Sequence, residues 1–386
     1  MGYQTRFDRS TTAYTRLKVM TDGILLQEIS RDTDLNAYDV VIVDEVHERS
    51  LNVDFIIGYL RMLLARRPEL RVVLMSATVE AERFQAFFGG AAVIEIPGAT
   101  YPVAVRYRPL AVGADGGTDL NEGIVQAIVE LDAETRGDIL VFLPGEREIT
   151  EASEALNAAR FSATAVLPLY SRLGHAAQQR VFSAHRVRHI VLATNVAETS
   201  ITLPGVHHVI DSGLARVGSY SPRSKLQRLP IAPISQASAE QRKGRCGRER
   251  PGICVRLYSA EQLARRPRYT EPEIRRSNLA GVILRLADLK LGSLEGFPLL
   301  DAPSGSAVND GYLLLRELGA LDQSRQLTPT GKLLARIPLD PRLARMILAA
   351  AEFDCLTEAV IIVSALSAGD VRERPREAHI AADTSH

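Results

Sequence analysis

The chain holds three cysteines in 386 residues, none in a Cys-x-x-Cys pair. A disulfide scaffold and a cysteine-built zinc site are thereby excluded, and a reducing, cytoplasmic setting is expected. Charge of one sign is also missing. Lys plus Arg balances Asp plus Glu at 46 each, so any nucleic-acid binding must come from local basic surface. No apolar run approaches the roughly 20 residues of a membrane helix. The polar stretch after Met1 is no signal peptide. His185 and His189 are four apart, but they flank a short basic stretch leading into a strand, not a helix face, which speaks against a metal there. No Gly-x-x-x-x-Gly-Lys-[Ser/Thr] occurs; the nearest match, Thr330-Gly331-Lys332-Leu333, lacks the hydroxyl. The amides and lysine of that loop, which cradle β- and γ-phosphates, are therefore not in this stretch of chain.

What is present is ample for two or three domains with proper cores. Hydrophobic content of 46% and charged content of 24% are ordinary for a globular protein. Strand and helix patterns alternate to about Tyr258, which predicts a mostly parallel sheet. A first unit carries strands at Val40–Val43 and Val72–Met75 and a helix over Asn52–Ala65, with Phe55, Ile56, Tyr59, Leu60 and Leu63 on one face. Four consecutive β-branched residues at Val40–Val43 read as a strand buried on both faces. A second unit begins near Leu120, with strands at Asp138–Leu143, His189–Ala193 and His208–Asp211, and a β-hairpin over Gly213–Leu229. Beyond Thr270 the pattern predicts helices over Glu273–Leu289 and Val308–Leu318, a turn at Thr328–Gly331 before another helix, and an apolar helical stretch from Pro341 to Ala368.

Three segments carry chemistry. Asp44-Glu45 stands at the carboxyl end of the Val40–Val43 strand, where open α/β sheets place their ligands. One carboxylate can hold Mg²⁺ and its neighbour can activate a water; a solvated turn is the alternative. Ser76-Ala77-Thr78 ends the second strand, and before Glu80 and Glu82 it also suits a helix N-terminus. Gln241-Arg242-Lys243-Gly244-Arg245-Cys246-Gly247-Arg248 sets five bases against one acid as far as Arg250. Arginine forks of that kind grip phosphate oxygens, and a solvated basic helix face is the alternative. Gly244 and Gly247 permit tight packing or unusual backbone angles.

In this order the three segments resemble the superfamily 2 helicases. Asp44-Glu45-Val46-His47, followed by Glu48-Arg49-Ser50, narrows the likeness to the DEAH-box RNA helicases. Thr21-Asp22-Gly23-Ile24-Leu25-Leu26 and Val371-Arg372-Glu373-Arg374-Pro375 narrow it further, to their bacterial HrpA type. The resemblance implies two RecA-like lobes, a first, incomplete one at 1–102 and a second at 103–269, then a winged-helix domain at 270–337 and the start of a helical ratchet bundle at 338–386. Asp44 then matches the Mg²⁺ carboxylate, with Glu45 beside it at the ion and matching the water-activating residue as well. His47 links the nucleotide to the second lobe, and Ser76 and Thr78 couple hydrolysis to movement. Gln241, Arg245 and Arg248 match the arginine-finger motif. Ser200 falls at the nucleotide, and Phe182 matches the adenine-stacking aromatic, a buried core position being the alternative. Gly205 follows Pro204 where many relatives have Asp before Gly, which fits loose base specificity for ATP or another NTP.

RNA contacts match Arg6, Thr21, Asp22 and Gly23 in the first lobe and Tyr170, Ser171, Thr194 and Asn195 in the second. Hydroxyls, amides and backbone N–H groups bind phosphate and sugar without reading sequence; loop and cap roles are the alternative. The hairpin resembles the one that bookends the RNA stack. In the family the phosphate loop precedes Thr21, and a strand, loop and helix need about 30 residues. Twenty stand before Thr21 here. The expectation is therefore an ATP-dependent RNA helicase shortened at both ends, translocating 3′ to 5′ by family likeness, with a gap and exposed apolar edges in its first sheet. A catalytically inactive RNA-binding or regulatory protein is the competing reading, disfavoured by the intact Asp44, Glu45, Gln241, Arg245 and Arg248.

Overall fold

The computed structural model describes every residue except Phe7, Thr78, Val79, Pro97, Ala99, Thr100, 111–118, Ser200, 222–224 and 369–386. The chain opens on a small sheet of β1 (Gly2–Gln4), β2 (Arg9–Ser10) and β3 (Lys18–Met20), in the order β2-β1-β3, followed by α1 (Asp22–Arg31). Next come β4 (Val40–Val43), α2 (Leu51–Arg66), β5 (Arg71–Leu74) and α3 (Ala81–Phe87). A βα repeat follows: β6 (Val103–Tyr107), α4 (Leu120–Glu134), β7 (Asp138–Phe142), α5 (Glu146–Ala159), β8 (Thr164–Leu169), α6 (His175–Phe182), β9 (Arg188–Ala193) and β10 (Val206–Asp211). Short strands β11 (Leu214–Arg216), β12 (Ser219–Ser221), β13 (Leu226–Arg228) and β14 (Ile231–Pro233) lead to α7 (Gln236–Lys243) and β15 (Gly252–Arg256). The rest is helical: α8 (Ala260–Ala264), α9 (Glu273–Arg276), α10 (Ala280–Asp288), α11 (Gly305–Glu317), α12 (Pro329–Arg336), α13 (Pro341–Glu352) and α14 (Leu356–Ala368). None of the described helices is long and apolar enough to cross a membrane.

Two compact units form. The first gathers Met1–Val41, Arg49–Val72 and Ser277–His386. Its α2 is N-capped by Ser50, whose side chain accepts from the Val53 N–H at 3.2 Å. Phe55 of α2 stacks on Phe297 at 5.2 Å between ring centroids. Gly58 is forced by that approach, since a Cβ there would lie 2.3 Å from the Pro298 carbonyl oxygen. Arg49, with φ of 49°, donates to Asp54 at 2.6 Å and to Asp301 at 2.7 Å in a buried cluster. The helix expected over Glu273–Leu289 is broken at Ser277–Leu279, because the Asn278 side chain accepts from the Ala280 N–H at 2.9 Å and starts α10. Likewise the stretch from Pro341 to Ala368 is two helices, parted where Asp354 takes φ of 54°.

The second unit gathers Ile42–Glu48 and Val73–Arg276. Its six-stranded sheet has the order β6-β15-β10-β7-β9-β8, with every pairing parallel. Alternate residues of β7 feed two cores, Ile139 and Val141 on one face and Leu140 and Phe142 on the other. This double burial is the signature of a central parallel strand. β4 differs from the expectation of a strand buried on both faces. It pairs with β5 in a two-stranded sheet, and Ile42 is 52% exposed while Val43 is 8%. Val40, Val73 and Met75 are likewise exposed. The hairpin is longer than Gly213–Leu229, since β11 pairs antiparallel with β14 and β12 with β13, so the ladder ends at Pro233. Its tip, 222–224, lies outside the described residues.

Candidate active site

The acidic corner is built where β4 ends. The Met75 N–H donates to the Val43 carbonyl at 2.9 Å, and the Val46 N–H to the Met75 carbonyl at 3.0 Å. This ladder carries the segment after β5 alongside the turn Val46–Glu48. Between them Glu45 adopts φ of 52°, an αL conformation costly for a residue with a side chain. The Glu45 N–H donates to Asp44 Oδ1 at 2.8 Å. His47 Nδ1 accepts from the Ala77 N–H at 3.3 Å and lies 3.4 Å from Glu45 Oε2. His47 Nε2 is buried and has no hydrogen-bond partner among the described residues. Ser76 is exposed beside this contact, and Thr78 lies outside the described residues. Burial pushes the Glu45 carboxyl above its ordinary range; His47 opposes the shift, the Asp44 and Glu48 carboxylates add to it, and Arg245 opposes it.

The basic wall belongs to the same unit. α7 is N-capped by Ser235 and ends at Gly244. Arg242, on its inward face, is 0% exposed, donates to Asp211 at 2.8 Å and Glu198 at 2.9 Å, and stacks over Phe142 at 4.8 Å. Tyr258 donates to the other Asp211 oxygen at 2.7 Å. Three residues on, Arg245 is buried differently. It donates to the carbonyls of Glu198 and Ile201, each at 2.7 Å. Burial, with Arg248 adding, depresses its guanidinium to about 10, while Glu45 and Glu198 oppose. Arg248 is exposed and donates to Thr202 Oγ1 at 2.6 Å. Gly247 takes φ of 80°, and a Cβ there would stand 2.5 Å from Val103 Cγ2; Gly244 is ordinary αR. Gln241 is half-buried in the last turn of α7. The Thr199 hydroxyl donates to Glu48 Oε1 at 2.5 Å, so the segment that bears Arg245's two carbonyls is tied to the acidic turn.

Phe182 is half-buried at the end of α6, and its neighbour Val181 takes the core position. Ser200 lies outside the described residues. Tyr170 and Ser171 follow β8, and Thr194 and Asn195 follow the adjacent β9; the Thr194 N–H donates to the Leu169 carbonyl at 3.2 Å. The four thus share the carboxyl edge of the sheet, although Tyr170 also packs on its core. In the first unit Arg6 is exposed. Thr21 is the N-cap of α1 through its carbonyl, with no side-chain cap bond. Asp22 accepts from the Gly23 N–H at 2.6 Å and from Asn52 at 3.0 Å. A Cβ on Gly23 would meet open space.

Sequence reasoning passed over Arg242, Glu198 and Asp211. Ser238 and Arg242 stand one helical turn apart and both are buried, a spacing that marks the inward face of α7 and was readable in the sequence. The pairing of Arg242 with Asp211 is not local and left no such trace.

Residues 122–250 match the helicase conserved C-terminal domain, 312–339 the winged-helix part of the helicase-associated domain, and 340–384 its ratchet-like part. A parallel RecA-like sheet matching the helicase C-terminal domain, followed by those two modules, is the domain order of a superfamily 2 helicase. The chain is 52% identical over 392 residues to the ATP-dependent RNA helicase HrpA of Escherichia coli, covering 100% of this chain and 30% of that protein. It is 41% identical over 380 residues to the human probable ATP-dependent RNA helicase DHX34, covering 95% of this chain and 33% of that protein. The crystal structure of the Escherichia coli DEAH/RHA helicase HrpB superposes with a TM-score of 0.86 at 35% identity, over 97% of this chain and 47% of the other. The chain belongs to the DEAH-box helicases of the HrpA type, and spans about a third of the length of the curated relatives it matches.

Proposed function

We propose that this chain supplies the acid and arginine halves of the NTP-hydrolysing site of a cytoplasmic, ATP-dependent RNA helicase, together with part of its RNA track. One observation carries the reading. Glu45, crowded by Asp44 and Glu48, lies within the electrostatic reach of Arg245. Clustered carboxylates call for a cation, and an arginine whose hydrogen bonds among the described residues go to carbonyls calls for an anion. A Mg²⁺-bound triphosphate satisfies both.

The donor set fits Mg²⁺: oxygens only, with Asp44 at an exposed strand end. When bound, the ion neutralises charge on the β- and γ-phosphates. Asp44, steadied through the Glu45 N–H, holds it. Glu45 Oε2 takes the proton of the attacking water, and its raised affinity for protons suits a base working near neutrality. Arg245, its fork fixed by two carbonyls, and Arg248 meet the charge that grows on the transferred phosphoryl. His47, Ser76 and Ala77 report that event to the β4–β5 corner, with Thr78 and Ser200 completing the loops by family likeness. Phe182 stacks on the base, and Gln241 contacts the nucleotide. RNA is bound as a single strand without sequence preference by Arg6, Thr21, Asp22 and Gly23 and by Tyr170, Ser171, Thr194 and Asn195. The 3′-to-5′ direction and the partition at 1–102, 103–269, 270–337 and 338–386 are carried over from the family.

The test is Glu45→Gln in a polypeptide where a phosphate-loop segment precedes this chain. Nucleotide binding should persist and kcat fall by at least about 10²-fold. A rise in KM at unchanged kcat would remove Glu45 from the role. A chain that binds RNA yet never hydrolyses NTP in that setting would favour the regulatory reading.

A further inference from the structure

Glu198 follows the short turn Asn195–Ala197 that comes after β9, and its N–H donates to the Asn195 carbonyl at 2.9 Å. The hydrolytic chemistry proposed above gives it no part, yet three residues of the basic wall are bonded to it. Its side chain is 12% exposed. One carboxylate oxygen accepts from the Ser238 hydroxyl and the other from Arg242 Nε at 2.9 Å. Its backbone carbonyl accepts from Arg245 Nε at 2.7 Å and from Nη2 of the same guanidinium. Side chain and main chain of one residue thus hold two positions on α7 and a third just beyond its end.

Ser238 and Arg242 lie one helical turn apart on the inward face of α7, both buried. Two bonds from one carboxylate to that face set the rotation of the helix and its distance from the loop. Arg245 comes three residues later, and its N–H donates to the Arg242 carbonyl at 3.1 Å, so the placing of Arg242 is passed to it directly. The residue that sets where Arg245 starts also presents the carbonyl that its fork grips. Donors fixed before the phosphate arrives need no reorganisation at the moment of reaction. Charge alone does not keep Arg242 in place: without Glu198 it retains Asp211 at 2.8 Å and the Leu214 carbonyl at 3.2 Å.

We propose that Glu198 is a positioning residue for hydrolysis: its carboxylate clamps α7 through Ser238 and Arg242, so that its own carbonyl aims Arg245 at the transferred phosphoryl. The inference rests on the reading of Arg245 as the residue that meets that group. Glu198 acts through Arg245 and not on the nucleotide. The clamp requires hydrogen bonds in place more than it requires charge. Glutamine supplies them, since its carbonyl oxygen accepts from Arg242 and its amide donates to the Ser238 hydroxyl oxygen; alanine supplies neither.

The test measures kcat and KM for RNA-stimulated NTP hydrolysis in a polypeptide where a phosphate-loop segment precedes this chain. Glu198→Ala and Glu198→Gln are compared, each alone and combined with Arg245→Ala. Glu198→Ala should lower kcat at least about 10-fold, against the roughly 10²-fold that a misplacement of about 1 Å can cost. KM for the nucleotide should stay within about 2-fold of wild type, because the loss is confined to the transition state. Glu198→Gln should recover most of that loss. On the Arg245→Ala background, Glu198→Ala should change kcat by less than about 2-fold, since residues that act through one another are not additive. A residue that only stabilises the fold would lower kcat by the same factor on both backgrounds. That result overturns the proposal, as does a glutamine variant as slow as the alanine one. If circular dichroism shows Glu198→Ala unfolded, Ser238→Ala, which removes one anchor and no charge, takes its place; it too should slow wild type and leave Arg245→Ala unchanged. Arg245→Ala as fast as wild type would instead remove the role given to Arg245, and the inference with it.

Discussion

Arg242 and Arg245 stand three residues apart, both buried, and should respond to removal very unequally. Arg242 is neutralised by Asp211 and Glu198. Arg242→Ala strands a carboxylate that is itself 0% exposed, a loss of about 3–5 kcal/mol. Arg245 is bonded to two carbonyls, and its depression to about 10 marks a charge the fold tolerates at a cost of roughly 3 kcal/mol. The sign is that of a cation whose protonated form is disfavoured on folding, so at neutral pH truncation relieves the cost. Lost bonds to the two carbonyls take back about 1–3 kcal/mol. Arg245→Ala should therefore stay within about 2 kcal/mol of wild type, the difference between the two estimates. The assay is urea unfolding followed by far-UV circular dichroism, since the chain has no tryptophan. Inorganic phosphate should stabilise wild type and not Arg245→Ala. If Arg245→Ala unfolds as readily as Arg242→Ala, Arg245 is a structural arginine and the reasoning fails.

Three further outcomes follow from the same geometry. Gly247→Ala, forced into αL against Val103, should cost about 2–4 kcal/mol by urea midpoint, whereas Gly23→Ala, facing open space, should stay within about 0.5 kcal/mol; equal losses would refute the packing argument. Because Glu45 holds its proton above the usual glutamate range, hydrolysis should fall on acidification before an ordinary glutamate would protonate, and Glu48→Gln, by removing a carboxylate that raises it, should move that acid limb lower; an unmoved limb would contradict this. Single-stranded RNA should bind regardless of sequence, with log affinity falling linearly against log salt, and shortening the hairpin, whose Leu226 and Leu229 are each 59% exposed, should cut duplex unwinding far more than RNA-stimulated hydrolysis; matched losses would end that division of labour.

Much of this architecture is legible in the residues. The α2 helix lies within one residue of its predicted bounds at each end because its apolar face has a clean helical period. β7 shows the two-sided burial that its unbroken apolar run implies. Val40–Val43 carries the same kind of run, yet one face is open, because burial depends on neighbouring strands that no local pattern encodes. The break at Asn278 was missed because a capping side chain overrode helical periodicity. Within the site, residue types pointed to Glu45 and Arg245. The tie between the two sides runs instead through the side-chain bond from Thr199 to Glu48, a pairing 151 residues apart that leaves no local sequence pattern.

The central claim is that Glu45 and Arg245 act on one phosphoryl group. It is tested most directly by a double-mutant cycle in kcat, comparing Glu45→Gln, Arg245→Ala and the pair in a polypeptide preceded by a phosphate-loop segment. Groups that work as a unit are strongly non-additive. The double variant is therefore expected to be scarcely slower than the worse single variant. Losses that simply multiply would show two independent sites and contradict the account.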